Sequence, residues 1–211
     1  MHSVVGTSTY LEALLPCMTM PLLMRLQIYF FGQLSFSLPH LLQFLRTIEN
    51  FWFGYATFIF GEKVSMSTHS CAVAKRFSLH ICVESRHLDW QVASTVQIIG
   101  AFFLVVDLTL KYTNCNSMSS EGANEADWSQ WHELLRLFRK LKRLHIAGDL
   151  IQAFSCSLES EDGESPMELL PELKVLSYSG SCNGGDAFNR SIASQKNTGH
   201  PIALIHCHNP L

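Results

Sequence analysis

Charge is scarce in this sequence. Charged residues make up 16% of the 211 residues, against 47% hydrophobic residues, and the formal net charge is −3. A protein that binds nucleic acid concentrates Lys and Arg and is usually basic, so we expect no nucleic acid as the main partner. A sustained apolar run is missing too, because the stretch 92–106 contains Ser94, Thr95 and Gln97 and is followed by Asp107. It falls short of the roughly 20 residues of a transmembrane helix, and we expect no membrane partner.

A disulfide framework and a signal peptide are also absent from the pattern. The seven cysteines are odd in number, scattered, and include no CxxC pair, which is typical of free thiols in a reducing compartment. The first residues lack a Lys/Arg-rich segment and place Glu12 within the apolar stretch, unlike a secretory signal. We therefore expect an intracellular protein of the cytoplasm or nucleus.

What the sequence does contain is a recurring pattern of the form Leu-x-x-Leu-x-Leu, with other apolar residues at some positions. Its copies begin at Leu23, Phe53, Ala74, Val105, Leu141 and Leu173, and those at Phe53 and Ala74 are the looser ones. Spacings of roughly 20 to 40 residues are typical of a solenoid, in which each repeat is one supersecondary unit. Within each copy polar residues alternate with apolar ones, which indicates strands with one buried face and one face in water.

Segments with helical periodicity separate the predicted strands. They follow Ser37 and Pro39, Asp89, Asp127 and Asp149, residue types that are common at helix N-termini. The recurring order of strand, turn and helix predicts an α/β solenoid whose strands lie side by side, with a closing strand over 202–205. The polar stretches 113–127 and 159–166 are predicted to be loops between repeats.

Two groups of conspicuous side chains are assigned to the fold rather than to a ligand. The segment LFRKLKRLHIAG and Arg136 directly before it supply cations that we expect on the solvent side of a helix end and of a strand, namely Arg136, Arg139, Lys140, Lys142 and Arg143. Trp90, Trp128 and Trp131 fall at helical spacing and are expected to pack in the core or between repeats. Trp52, beside a predicted strand, is a candidate exposed anchor.

The chain resembles the C-terminal part of a large family of basidiomycete F-box-like leucine-rich-repeat proteins. The resemblance lies in the segments YLEALL, LQIYFFGQLSFSLPHLLQFLRTIENF, RHLDWQVASTVQI, ELLPELKVLSYSG and GDAFNRSIASQKNTGHPIALI. In such repeats a small polar residue follows three places after the last Leu and bonds the turn; Cys82, Thr113, Asp149 and Ser181 fit, whereas Phe31 and Gly61 do not. The resemblance implies one leucine-rich-repeat-like domain over 1–211, with a curved parallel sheet and helices on its convex side, that continues a longer array.

The function that we expect is non-catalytic protein binding without a cofactor. Solenoids bind proteins through the wet side chains of their strands. The candidate binding residues are Gln27, Tyr29, Arg76, His80, Thr109, Lys111, Arg143 and His145. The resemblance implies that the unidentified protein ligand is a target for ubiquitination. The F-box, which would contact the ligase, has no counterpart here, so the adaptor role is expected only where an F-box lies upstream.

Two alternatives remain open. A metal-assisted enzyme would use the C-terminal histidines His200, His206 and His208, although a zinc site needs three or four protein ligands. A truncated fragment without independent function would expose the apolar end of its first repeat and aggregate. The glycine-rich stretch 179–185 is interpreted as a flexible turn, because Asp186 and Ala187 stand where a phosphate loop has Lys and a hydroxyl.

Overall fold

The computed structural model describes residues 2–6, 8–17, 24–31, 33, 35–47, 53–70, 77–84, 88–99, 105–113, 128–148, 150–151, 154, 169–180 and 201–207. The strands in these ranges are β1 His2–Gly6, β2 Arg25–Phe30, β3 Phe53–Phe60, β4 Lys63–Ser70, β5 Ser78–Glu84, β6 Asp107–Tyr112, β7 Arg143–Ala147, β8 Val175–Ser179 and β9 Ala203–His206. The α-helices are α1 Ser8–Leu14, α2 Pro39–Thr47, α3 Leu88–Ile99 and α4 Trp128–Arg136, and a 3-10 helix spans Leu15–Cys17. None of these helices combines the length and the apolarity that crossing a membrane requires.

All of these strands join one open sheet in the order β1-β2-β5-β4-β3-β6-β7-β8-β9. Every pairing is parallel except the two that β4 makes, so that β4 alone among them runs in the opposite direction. The predicted α/β class with a parallel sheet is confirmed in this sense. The predicted row of leucines is present as well. Leu108, Leu144 and Leu176 face one another on adjacent strands, and Leu26 lies in the same row on β2.

The recurring order of strand, turn and helix does not hold after Phe53. The chain forms an antiparallel hairpin there, with β3 and β4 joined through Gly61 and Glu62. In β4 the residues Val64, Met66 and Thr68 face inward and serines lie between them, which is the period of a strand rather than that of a helix. The hairpin separates β2 and β5 from β6, so the predicted strands are not all direct neighbours.

The core lies between the inward side chains of the sheet and the helices. Leu26, Ile28, Leu108 and Leu144, together with the other inward strand residues, form one buried cluster with apolar side chains of the helices. The helices contribute Leu11, Leu41, Leu45, Val92, Ile98, Ile99, Trp131, Leu134 and Leu135. Each large side chain that is fully buried contributes about 1.5–3 kcal/mol through the hydrophobic effect. The described helices therefore cover one face of the sheet and leave the other face to the polar side chains.

Contacts at the helix ends connect the helices to distant parts of the chain. The Glu12 carboxylate on α1 accepts hydrogen bonds from the backbone N–H groups of His40 (2.6 Å) and Leu41 (3.0 Å), at the N-terminus of α2. A carboxylate there satisfies otherwise unpaired donors and complements the helix dipole.

Helix α1, with strand β1, was not predicted from the sequence. Asp89 is the second residue of α3, so it lies inside the first turn rather than at the cap, and Asp127 and Asp149 lie outside the described residues.

The hairpin turn is held by a buried glutamine of α3. The Gln91 amide donates to the Gly61 carbonyl oxygen (2.6 Å) and accepts from the Gly61 N–H (3.2 Å), and Gln91 is fully buried. A side chain is excluded at position 61, because a Cβ there would lie 2.5 Å from the Thr113 carbonyl oxygen. Close approach to the end of β6 therefore explains the glycine that stands where the repeat pattern calls for a polar residue.

The tryptophans behave differently from one another. Trp131 is 1% exposed and its ring lies 5.5 Å from that of Phe60, as expected of a core residue. Trp90 is 50% exposed, so it is not part of the buried core, one of the two places predicted for it. It lies in the first turn of α3, directly before the buried residues Gln91 and Val92. Trp52 and the side chain of Trp128 lie outside the described residues.

Candidate functional site: the polar face of the sheet

The candidate site is the face of the sheet opposite the helices, which we call the polar face. Alternation places every second side chain of β2 to β8 on it. Of the eight predicted binding residues, Arg76 lies outside the described part of the chain. The other seven share this face: Gln27, Tyr29, His80, Thr109, Lys111, Arg143 and His145. They are partly buried or exposed, in contrast with their inward neighbours.

The strand register arranges these residues in rows across the sheet. One row runs from Gln27 through His80, Thr109 and His145 to Ser177, with Ser67 and Thr57 of the hairpin in the middle. Tyr29 and Lys111 belong to the next row. Residues that are far apart in sequence therefore form one continuous surface. The hairpin maintains the rows although it interrupts the order of the strands.

His145 lies between two serine hydroxyls on β8. Its Nδ1 is 2.9 Å from Ser177 Oγ and its Nε2 is 3.2 Å from Ser179 Oγ. Because the Ser177 hydroxyl donates to the Leu144 carbonyl oxygen (3.3 Å), Ser177 Oγ accepts from Nδ1–H, and Nε2 is left to accept from Ser179. Burial, and then the charge of Lys111, lower the pKa of His145. The imidazole is thus neutral and fixed in one tautomer at neutral pH.

His80, at the same level of the polar face, has a looser environment. Its Nε2 lies 3.4 Å from Ser65 Oγ, and its ring meets the Tyr29 ring edge-on at 6.2 Å between centroids. Burial lowers the pKa of His80, and the positive charges of Lys63 and Arg25 lower it further. His80 and Tyr29 therefore form a neutral, partly aromatic region on the β2–β5 side of the polar face.

Cys82 is not at a turn, as the repeat pattern predicted, but within β5. It is 4% exposed and pairs in register with Tyr29 and Ser65. Burial raises the pKa of its thiol, so the thiol stays protonated and is a weak nucleophile. The prediction failed because β5 extends to Glu84, five residues past Leu79, the last position of the pattern. Cys17 and Cys207 are free thiols too.

An ion pair links β6 and β7 at the start of the strands. Arg143 donates to both Asp107 carboxylate oxygens, with 2.6 Å between Nη2 and Oδ2. The hydrogen bonds and charge of Asp107 raise the pKa of Arg143, and Tyr55 adds to this shift. Tyr55, Asp107 and Arg143 follow one another across the register and are partly or fully exposed. The group presents an aromatic ring, a carboxylate and a guanidinium side by side.

Arg136 and the cations of the LFRKLKRLHIAG segment lie in water, as predicted. All five are exposed, namely Arg136, Arg139, Lys140, Lys142 and Arg143, while Phe138 and Leu141 between them are buried. Arg136 ends α4, Arg139 and Lys140 lie in the turn after it, and Arg143 begins β7. The segment is therefore a turn and a strand that follow the end of a helix, not a continuous basic helix.

Of the three C-terminal histidines, only His206 lies in the described part of the chain. His206 pairs with Tyr178 across β8 and β9, and the two rings stack at 4.8 Å between centroids. His200 and His208 lie outside the part of the chain that is described, as do residues 181–187 of the glycine-rich stretch and its sequel. Where the structure is described, no three His, Cys, Asp or Glu residues are grouped so that they would hold a metal ion.

Several residues of the polar face were missed in the list of candidate residues. Ser65, Tyr55, Ser177 and Ser179 all contact or approach a predicted residue. Tyr55 was detectable, because it precedes the inward Ala56 by one position and so must face outward. Ser65 was not, since β4 belongs to no copy of the repeat pattern.

Comparison with known proteins adds no further assignment. No model of a protein family, no curated protein and no solved structure matches this chain. The function is therefore argued from the geometry of the polar face.

Proposed function

We propose that the chain is a non-catalytic protein-interaction module whose polar face binds a partner protein. The observation that carries this proposal is the register, which gathers side chains from seven strands on a face that the described helices leave open. An enzyme needs a few groups converging on one reacting atom, whereas a binding surface needs many groups spread over a large area. The rows of the polar face correspond to the second arrangement.

The composition of the polar face suits protein recognition. Tyr29, Tyr55 and Arg143 belong to the residue types that dominate binding energy at interfaces. Tyr55 is 48% exposed, and both it and Arg143 therefore have surface to lose on binding. The neutral imidazoles of His80 and His145 lie between them and add hydrogen-bonding groups without the desolvation cost of a charge.

We further propose that the fold is an irregular leucine-rich-repeat-like solenoid. Strands β6 to β9 support this proposal, because they are neighbours in chain order and repeat the same inward positions. The hairpin of β3 and β4 is an insertion in this proposal. The ligand would then be a target for ubiquitination only if an F-box lies upstream, in a protein of the cytoplasm or nucleus.

Affinity purification with matched variants tests the proposal. The double variant Tyr29→Ala/Lys111→Ala removes one aromatic and one charged side chain from the polar face. The control Tyr10→Ala/Glu133→Ala removes the same kinds of group from exposed positions on α1 and α4. We expect mass spectrometry of proteins cross-linked to the chain in cells of its source organism to show a partner that the wild type and the control retain and the polar-face variant loses.

Thermal unfolding of the three proteins accompanies the purification, so that a folding defect is recognised. A partner that the polar-face variant retains and the helix-side control loses would assign binding to the helices and overturn the proposal. Equal recovery of every protein with all three would overturn it as well.

A further inference from the structure

A concentration of positive charge borders the polar face. We call it the basic edge, and it consists of Arg139, Lys140, Lys142, Arg143 and Lys174, all exposed. Three of them come from the segment between α4 and β7, Arg143 is the first residue of β7, and Lys174 directly precedes β8. The backbone N–H of Lys174 donates to the Lys142 carbonyl oxygen (2.9 Å), so these two lysines occupy equivalent positions on neighbouring strands.

Two carboxylates accompany these five cations. Glu172 accepts a hydrogen bond from Lys140 Nζ (2.6 Å), and Asp107 accepts from Arg143. The hydrogen bond from Lys140 lowers the pKa of Glu172, and the charges of Lys140, Lys142 and Lys174 lower it further, so three lysines surround this one carboxylate. Among the described residues, Lys142 and Lys174 approach it without forming an ion pair. The basic edge thus has an excess of positive charge, whereas the whole chain carries −3.

Like charges in such a cluster repel one another, and an anionic ligand would relieve that repulsion. We propose that the basic edge binds an acidic peptide segment of a partner protein, with carboxylates of the segment pairing with Lys142 and Lys174. This inference rests on the proposed function and adds to it the chemistry of the partner. Arg143 belongs to both surfaces and makes them continuous, so a partner on the polar face reaches the basic edge directly.

The dimensions of the edge suit an extended peptide. Neighbouring strands lie about 4.8 Å apart, and alternate side chains of an extended segment lie roughly 6.5–7 Å apart on one side. Flexible lysine side chains bridge this difference easily. Nucleic acid fits less well, because the whole chain carries a net charge of −3, whereas nucleic-acid-binding proteins are usually basic. An acidic residue at every second position of the segment would match the two lysines.

Fluorescence anisotropy with a defined probe tests this inference. The probe is a fluorescein-labelled peptide of eight residues that alternates Glu and Ser, at about 0.02 M salt. We expect Lys142→Glu/Lys174→Glu to weaken its binding about tenfold, and Lys142→Gln/Lys174→Gln to weaken it less, as expected for exposed ion pairs. Lys63→Glu is the control, because Lys63 lies beside the C-terminal end of β5, whereas the basic edge lies at the start of β7 and β8. It should change the affinity less than twofold. Salt at about 0.3 M should weaken the wild-type complex.

The other outcomes separate this inference from the proposed function. No binding of the peptide to the wild type, or equal loss with Lys63→Glu, overturns the basic edge as an acidic-peptide site. Tighter binding of an oligothymidylate of equal charge also overturns it, in favour of nucleic acid. If the peptide fails to bind while Tyr29→Ala/Lys111→Ala still loses a partner in cells, the inference falls and the proposed function stands. If the peptide binds but no partner depends on the polar face, the proposed function falls.

Discussion

The two halves of the sheet differ in the order in which their strands follow one another along the chain. In the half formed by β6 to β9, strands that follow one another in sequence also pair, and leucines stack from strand to strand in the inward row. In the half formed by β2 to β5, the chain passes from β2 to β3, returns along β4 and places β5 beside β2. The rows remain in register in both halves. Alignment of side chains in rows, rather than order along the chain, is what the two halves have in common.

The difference has a consequence for packing. In the inward row of the hairpin, Thr68 and Ala56 replace the leucines found at Leu108, Leu144 and Leu176. Thr68 and Ala56 line a small cavity with Phe58, Met66, Leu79 and Ile81 of the sheet and with Ile99 and Val105. The half with sequential strands is packed with large aliphatic side chains. The hairpin half is packed with apolar side chains too, and Gln91 adds two polar contacts at its turn.

The largest difference between the halves should appear when the contact of Gln91 with the hairpin turn is removed. Gln91→Leu leaves the Gly61 N–H and carbonyl oxygen without their partner in a buried place. We expect a loss of about 2 kcal/mol in the free energy of unfolding, since an unsatisfied buried group costs about 1–3 kcal/mol. Urea denaturation measures it. Gln43→Leu, at an exposed position of α2, is the control and should stay within about 0.5 kcal/mol of the wild type. A harmless Gln91→Leu would mean that the turn needs no anchor.

The half with sequential strands is also the one that the sequence predicts well. The positions of Leu108, Leu144 and Leu176 repeat one pattern at regular chain order, and each repeat contains its own strand signal. For β3 and β5 the pattern indicated the strands but not their neighbours, and it did not indicate β4. Period-two alternation tells which side of a strand is buried, but it carries no information about which strand lies next to it. The path through β4 depends on the Gln91–Gly61 contact, which joins residues 30 positions apart.

The candidate site shows the same limit. Alternation alone placed Gln27, His80 and His145 on one face, because parity along a strand is a local property. Alternation along one strand does not predict contacts between strands. The pairing of Asp107 with Arg143 and the position of His145 between Ser177 and Ser179 depend on register between β6, β7 and β8. Burial, and then the charge of Lys111, lower the pKa of His145, and both follow from how the strands pack, so the chemistry of the polar face needed the structure.

Removal of a buried hydroxyl from the hairpin core should have a smaller effect, of opposite sign, on the free energy of unfolding. The Thr68 hydroxyl is buried and has no hydrogen-bond partner among the described residues. Thr68→Val removes that hydroxyl at nearly constant shape and should raise the free energy of unfolding by about 1 kcal/mol. Thr57→Val, on the opposite face of the same hairpin, should change it little and serves as the control. A rise in the urea midpoint for Thr68→Val alone supports this account. A fall would mean that the Thr68 hydroxyl does have a partner.

The smallest expected effect compares His145 in one half with His80 in the other as pH falls. Burial lowers both pKa values below the ordinary 6.5, so the folded protein binds protons less readily than the unfolded chain. Stability is therefore unaffected well above pH 6.5 and decreases as pH falls through 6.5 towards the folded pKa.

His145→Gln should lessen this decrease, because Gln carries no titrating group and still bonds Ser177 or Ser179. Urea denaturation at pH 7.5 gives the reference free energy of unfolding for each protein, and the most acidic sample lies about two pH units lower.

His80→Gln should also lessen the decrease, and the two effects should add, since four strand spacings of about 4.8 Å separate the two rings. Acid sensitivity that remains at the wild-type level in the double variant would show that other groups carry it, and that neither imidazole is held neutral by the polar face.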